Sequence, residues 1–159
     1  MQKYFFKISA VVLLFLGALA MAQSTKYKCM LQMKNYTGEG AYITAYIINP
    51  QGKYVKSLSV MGDDERWYKN LKQWYAGQSK SKEKLDAITG ASVSGGKRNV
   101  FTVSIDNAMM NKGYKIRFES SVEHGDYVPV ELDISLETAT ILNKVDGKGY
   151  IRFAKLNSL

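Results

Sequence analysis

Gly90-Ala91-Ser92 is the first cluster in this chain that could do chemistry, because a serine flanked by small residues presents an unhindered hydroxyl. As a hydrolytic nucleophile it would need a sharp strand-to-helix turn, closed by a glycine two residues after the serine. Ser94 occupies that position, and the residues after Ser92 read as a turn and then a strand. His124 and several aspartates supply triad types, but the failed elbow argues against a hydrolase. A phosphate-binding loop fares no better. Gly90 is followed after four residues by Gly95-Gly96-Lys97, so the lysine comes one position late, and Arg98 stands where a serine or threonine would hold magnesium.

Other chemistries are bounded by residue counts. The carboxylate pairs Asp63/Asp64 and Glu119/Glu123 have no spacing that directs two acids at one substrate, and they read as helix caps and solvated strand edges. The lone cysteine, Cys29, forms no internal disulfide, so packing must hold the fold. With His124 as the lone histidine there is no Cys/His metal cluster of the usual kind.

The first 22 residues read as an export leader. Lys3 and Lys7 give a positive start, ISAVVLLFLGALA a short apolar core, and Ala-Met-Ala before Gln23 a cleavage site after Ala22. The apolar run falls short of the ~20 residues of a membrane span, so a periplasmic or otherwise exported protein is expected, touching membranes only through partners. Residues 23–159 then make one domain of 137 residues, long enough to bury a core. Without Lys3 and Lys7 the 22 Lys and Arg become 20, against 14 Asp and Glu, a net charge of +6. That charge is spread along the chain and lacks the basic stripe with interleaved aromatics that a nucleic-acid partner requires.

The elements that would position these residues are mostly strands. Residues 26–34 alternate, with Tyr27, Cys29, Leu31 and Met33 on one side, which is the period of a half-buried strand. AYITAYIIN and KYVKSLSVM follow, separated by turn signals, and NVFTVSI, GYKIRFESSV, YVPVELDISL and GYIRFAKL continue the pattern after residue 98. Residues 63–75 break it: Trp67, Leu71, Trp74 and Tyr75 form one helical stripe, with Asp63 and Asp64 placed as its N-cap. That stripe reads first as a core face. About seven strands and one short helix predict a mainly β sandwich, with Ser92 on a loop between the helix and the later strands.

Residues 86–92 read Asp-Ala-Ile-Thr-Gly-Ala-Ser. This resembles the motif Asp-x-x-(Ser/Thr)-Gly-Ala-(Ser/Thr) that periplasmic flavin transferases modify in flavin-carrier proteins, among them the FMN-binding subunits of the sodium-pumping NADH:quinone oxidoreductase. The resemblance implies FMN joined through a phosphoester to Ser92, with Asp86, Thr89, Gly90 and Ala91 as the residues a transferase recognises. A phosphodiester there would carry negative charge next to Lys97 and Arg98. Trp74, with Trp67 and Tyr75, would offer the flavin ring an aromatic surface, and His124 a hydrogen bond if its loop lies close.

A wider resemblance runs from Asn49 to Gly125. NPQGKYVKSLSVMGDDERWYKNLKQWY, DAITGAS and GYKIRFESSVEHG are similar, in that order, to a family of predicted periplasmic proteins of unknown function. Val122 stands where that family often has arginine, and Ser92 where threonine is also used. The resemblance implies an immunoglobulin-like β-sandwich associated with PepSY-type membrane redox proteins and flavin transferases. The expected protein is an electron carrier without a substrate pocket of its own. Its competitor is a non-redox exported immunoglobulin-like binding or structural module in which DAITGAS is only a turn.

Overall fold

The structure, a computed structural model, describes residues 23–159. The proposed leader lies outside them. Nine strands form two sheets: β1 (Ser24–Met33), β2 (Tyr42–Ile48), β3 (Tyr54–Met61), β4 (Thr89–Gly90), β5 (Arg98–Asp106), β6 (Lys115–Ser121), β7 (Tyr127–Ser135), β8 (Val145–Asp146) and β9 (Ile151–Ser158). One sheet has the order β5-β1-β9-β8 and the other β4-β3-β2-β6-β7. The protein is a β-sandwich, as the alternation predicts. The seven long strands are the ones visible in the sequence; β4 and β8 are two residues each, too short to show a period.

The core between the sheets follows from that period. On β1, Cys29, Leu31 and Met33 point inward and are buried, and they meet Ile43 and Ile47 of β2, Phe118 of β6 and Leu156 of β9. Filling such positions with Leu, Ile and Phe contributes about 1.5–3 kcal/mol each. Most of β2 breaks the half-buried rule, because Ile43 through Ile48 are all buried. Its second face is covered by a separate cluster of Tyr46, Ile48, Val60, Tyr68, Leu71 and Trp74.

That cover is the helical segment, and it differs from the single helix over 63–75. A 3-10 turn over Glu65–Asn70 is followed, after a break at Leu71, by α1 (Lys72–Gln78). Asp64 does act as a cap, but of the 3-10 turn, where its carboxylate accepts from Arg66 N–H. The break divides the aromatic stripe. Leu71 and Trp74 are buried against β2 and β3, and Trp74 Nε1 donates to Ser57 Oγ at 2.9 Å. Trp67, on the 3-10 turn, stays half-buried and faces outward from that cluster.

Candidate functional site

Ser92 is exposed, in the segment between β4 and β5. Two short pairings fix this segment. Thr89 and Gly90 run parallel to Val60 and Met61 at the end of β3, and Val93 bridges Ala41 with hydrogen bonds of 2.9 and 3.0 Å in both directions. Ala41 and Val93 both point into the core between the sheets. Because side chains alternate along extended backbone, Gly40, Tyr42 and Ser92 belong to the opposite, outer face. Two contacts agree: Tyr42 packs against the outer cluster, and a Cβ built on Gly40 would lie 2.6 Å from Ser92 Oγ. Only glycine at position 40 lets the Ser92 side chain sit there. Two residues before Ser92, nothing lies within 4 Å of where a Gly90 side chain would be, so the loop is open at Gly90.

The other motif residues are distributed around this loop. Asp86 is exposed at the start of a 3-10 turn over Asp86–Ile88, Ala91 is exposed, and the Thr89 hydroxyl is turned back to donate to Leu85 O at 2.9 Å. Thr89 therefore shapes the loop from within. Lys97 is exposed and closes the turn after Ser94 with its N–H to Ser94 O, while Arg98 opens β5, where its Nε donates to Gln32 Oε1 of β1 at 3.1 Å. Both are tied to the other sheet, Arg98 through that bond and Lys97 through its carbonyl, which accepts from Met33 N at 2.9 Å, while the Lys97 residue stays exposed.

Trp74 takes no part in any surface. It is fully buried, edge-on to Tyr68, so the expectation that it would face a flavin ring is corrected. The physical reason is the break at Leu71, which turns Trp74 into the buried cluster and leaves Trp67 half-buried beside Tyr42 and Ser121 and Tyr75 exposed beside Asp86.

Tyr42 is the residue that the sequence did not single out and that connects the motifs. It pairs with Ser121 of β6 on one side, and its ring lies against Gly62, where an added Cβ would fall 2.1 Å from the ring. Gly62 N in turn donates to Gly90 O. The Tyr42 hydroxyl sits beside the Asp64 backbone N–H and near Asp63, Asp64 and Glu123; burial first, and then these carboxylates, push its pKa up. The Gly62-Asp63-Asp64 turn and Glu123 of the 122–125 turn thus meet at one tyrosine, and the Thr89–Ser92 segment is tied to the first of them through Gly62.

His124 is on that last turn. It is exposed, with φ of 57°, a left-handed conformation that few residues other than glycine adopt without strain. The turn is closed by Gly125 N to Val122 O at 3.0 Å, and Asp126 N donates to Tyr150 Oη at 2.7 Å. His124 reaches the neighbourhood of Ser92 through the 36–40 loop. That loop ends at Gly40 under Ser92, and its residues Tyr36 to Glu39 line a hollow of about 380 Å³ together with His124. A second hollow of about 310 Å³, on the other side of His124, is bounded by Trp67, Lys72, Ser121 and Tyr127.

Glu119 supports this end of the sheet from below. It is fully buried, not on a solvated edge as the sequence suggested. One carboxylate oxygen accepts from Gln73 N at 3.0 Å and Tyr127 Oη at 2.8 Å, the other from Trp74 N at 2.9 Å and Tyr46 Oη at 3.0 Å. It therefore caps α1 from a strand of the adjacent sheet, where Leu71 offers no side-chain cap. Burial raises its pKa above the ordinary carboxylate value, an effect that these four donors oppose.

Among the described residues no group of three or more acidic, histidine or cysteine side chains could hold a metal ion. The outer face instead presents a hydroxyl on an open loop and an aromatic-walled hollow within two strands of it. The fold and these features define a β-sandwich whose chemistry-bearing residues lie on surface loops and not in an enclosed cavity. The chain belongs to the family described as predicted periplasmic protein (DUF2271), whose model matches residues 24–153. No curated protein and no solved structure matches it.

Proposed function

We propose that this protein is an exported flavin carrier, with FMN attached through a phosphodiester to Ser92, that relays electrons from a PepSY-type membrane reductase to an acceptor outside the cytoplasm. The observation that carries the reading is the Ser92 hydroxyl itself: exposed, on a loop whose Gly90 side is open, and seated over Gly40. An acceptor that must enter another enzyme's active site needs this kind of presentation. The exposed Lys97 on the same loop supplies positive charge for a phosphodiester. FMN supplies the redox chemistry, and the chain's own residues hold and orient it.

In the transfer step Ser92 Oγ forms the bond to the flavin phosphorus. A flavin dinucleotide donor balances it: its phosphoanhydride breaks, AMP leaves, and the serine proton passes to the transferase. Asp86 and Ala91, both exposed, are open to a transferase that reads the loop, while Thr89 holds its shape through Leu85.

The test is co-expression, with export, alongside a periplasmic flavin transferase, followed by intact mass and in-gel flavin fluorescence after denaturation. The reading expects one FMN adduct on the wild type and none on Ser92→Ala. A folded, exported wild-type protein without the adduct would return the chain to the class of non-redox binding or structural modules.

A further inference from the structure

We propose that the isoalloxazine ring carried by Ser92 rests in the outer-face hollow between Trp67 and the 121–125 turn, with Lys72 and His124 on its polar side. This inference rests on the carrier reading above and adds where the ring goes and which residues tune it.

The placement follows from direction, distance and chemistry. Ser92 projects to the outer face, alongside Tyr42, and Tyr42 pairs on its far side with Ser121. From Ser92 to Ser121 is thus two strand spacings, about 10 Å. A ribityl phosphate arm spans that distance along the sheet surface, over Gly40 and Tyr42, without crossing a side chain of the sandwich core. At its end lies the 310 Å³ hollow, at the small end of the range for ligand sites, roughly 300–1,000 Å³. A narrow cleft lined by Tyr42, Trp67, Ser121 and Glu123 adjoins it on the side toward Ser92, so the two aromatic rings continue the surface from the loop into the hollow.

The lining suits a flavin ring. Trp67 is the half-buried aromatic that the break at Leu71 leaves outside the buried cluster, and an indole face is an apolar, flat partner for a tricyclic ring. Tyr127 also lines the hollow, and the Lys72 ammonium stands 5.2 Å from the centre of its ring. A cation there stabilises the negative charge that the pyrimidine end of a flavin gains on reduction. His124 is held in a strained left-handed turn at the rim, and strain of this sort, about 1–3 kcal/mol, persists where the surroundings impose it, often at ligand sites. The Asp63/Asp64 pair lies near the Tyr42 hydroxyl, on the arm's path, while Glu123, also near that hydroxyl, lines the hollow together with Lys72 and His124.

Besides the 380 Å³ hollow over Tyr36 to Glu39 and one of about 540 Å³ beside Tyr75, Leu85 and Asp86, a rival position lies at the sheet edge. A hollow of about 350 Å³ at the β3 edge of the sandwich is bounded by Met61, Ile88, Gly90 and Phe101. It lies near the same loop but opens between the sheets, the side toward which Val93 points and from which Ser92 is turned away.

The test uses the flavinylated protein made by co-expression with the transferase, and reads the flavin itself. Stacking on indole quenches flavin emission, so Trp67→Leu is expected to raise the emission of the attached flavin several-fold, with Trp67→Phe intermediate. Lys72→Met should lower the flavin midpoint potential, and His124→Asn, which tolerates the left-handed turn as histidine does, should change the emission as well. Ile88→Ala in the edge hollow should leave both readouts as in the wild type. If an adduct forms but its emission and potential ignore Trp67, Lys72 and His124, or respond to Ile88 instead, the inference is overturned while the carrier reading stands. If no adduct forms on folded protein, both fall together.

Discussion

Removing the Glu119 carboxylate tests how the helical cover, and with it Trp67, is held in place. Four donors converge on this buried group: two backbone N–H groups of α1 and two tyrosine hydroxyls. In Glu119→Ala the Trp74 N–H and the Tyr46 hydroxyl are left in buried surroundings without a partner, at about 1–3 kcal/mol each. Gln73 N–H and the Tyr127 hydroxyl are nearer solvent and can take up water. The expected loss is about 2–6 kcal/mol, a large share of the 5–15 kcal/mol typical of a domain. Glu119→Gln keeps the volume but presents an amide NH₂ to one of the two backbone donors, so an intermediate loss is expected. Urea unfolding followed by tryptophan fluorescence measures both, since Trp74 sits on the cap. The same comparison has a pH signature. Burial raises the folded-state pKa of Glu119, so the native state holds its proton more tightly than the unfolded chain does. The stability associated with the protonated group is fully present below the unfolded value near 4.5 and is lost as pH rises through the folded one. The wild type's advantage over Glu119→Gln should therefore shrink as pH increases through that window. A loss below about 1 kcal/mol in Glu119→Ala would refute the assignment of Glu119 as the buried cap, and an advantage that widens with pH would overturn the raised pKa.

Three further outcomes follow from the geometry. Gly62→Ala places a methyl 2.1 Å from the Tyr42 ring at a backbone φ of 147°, and should cost about 1–3 kcal/mol by thermal unfolding. Gly40→Ala puts a methyl 2.6 Å from Ser92 Oγ and 3.1 Å from its Cβ, so the loop must shift; the yield of flavin adduct under transferase co-expression should fall while the melting temperature changes little. Cys29 is buried on β1 and its thiol is pushed up to about 12 by burial, so iodoacetamide at pH 8 should label it only after denaturant is added, as read by intact mass.

Strand periodicity carried most of the fold into view from the sequence. Cys29, Leu31 and Met33 alternate because one face of β1 meets the other sheet, and the structure buries those three. The helical stripe was legible only as a whole. Its break at Leu71 depends on Glu119, forty-five residues beyond Trp74, reaching over to cap α1, and no local pattern encodes that. Trp67 and Trp74 share a stripe in the sequence, yet the break sends one outward and the other into the core. The Ser92 loop was legible through its motif, since small residues and a hydroxyl describe an open turn without reference to the rest of the fold. Gly40 and Tyr42 were not, because one reads as a turn glycine and the other as an ordinary strand aromatic. Their roles exist only once Ala41 bridges Val93 and Tyr42 pairs with Ser121.

The most direct test of the account is the intact mass of the exported protein made together with a periplasmic flavin transferase. The account predicts a single added FMN, joined with loss of one water, on the wild type and an unshifted mass for Ser92→Ala. An unmodified wild type that is folded and exported, or an adduct that persists in Ser92→Ala, would contradict it.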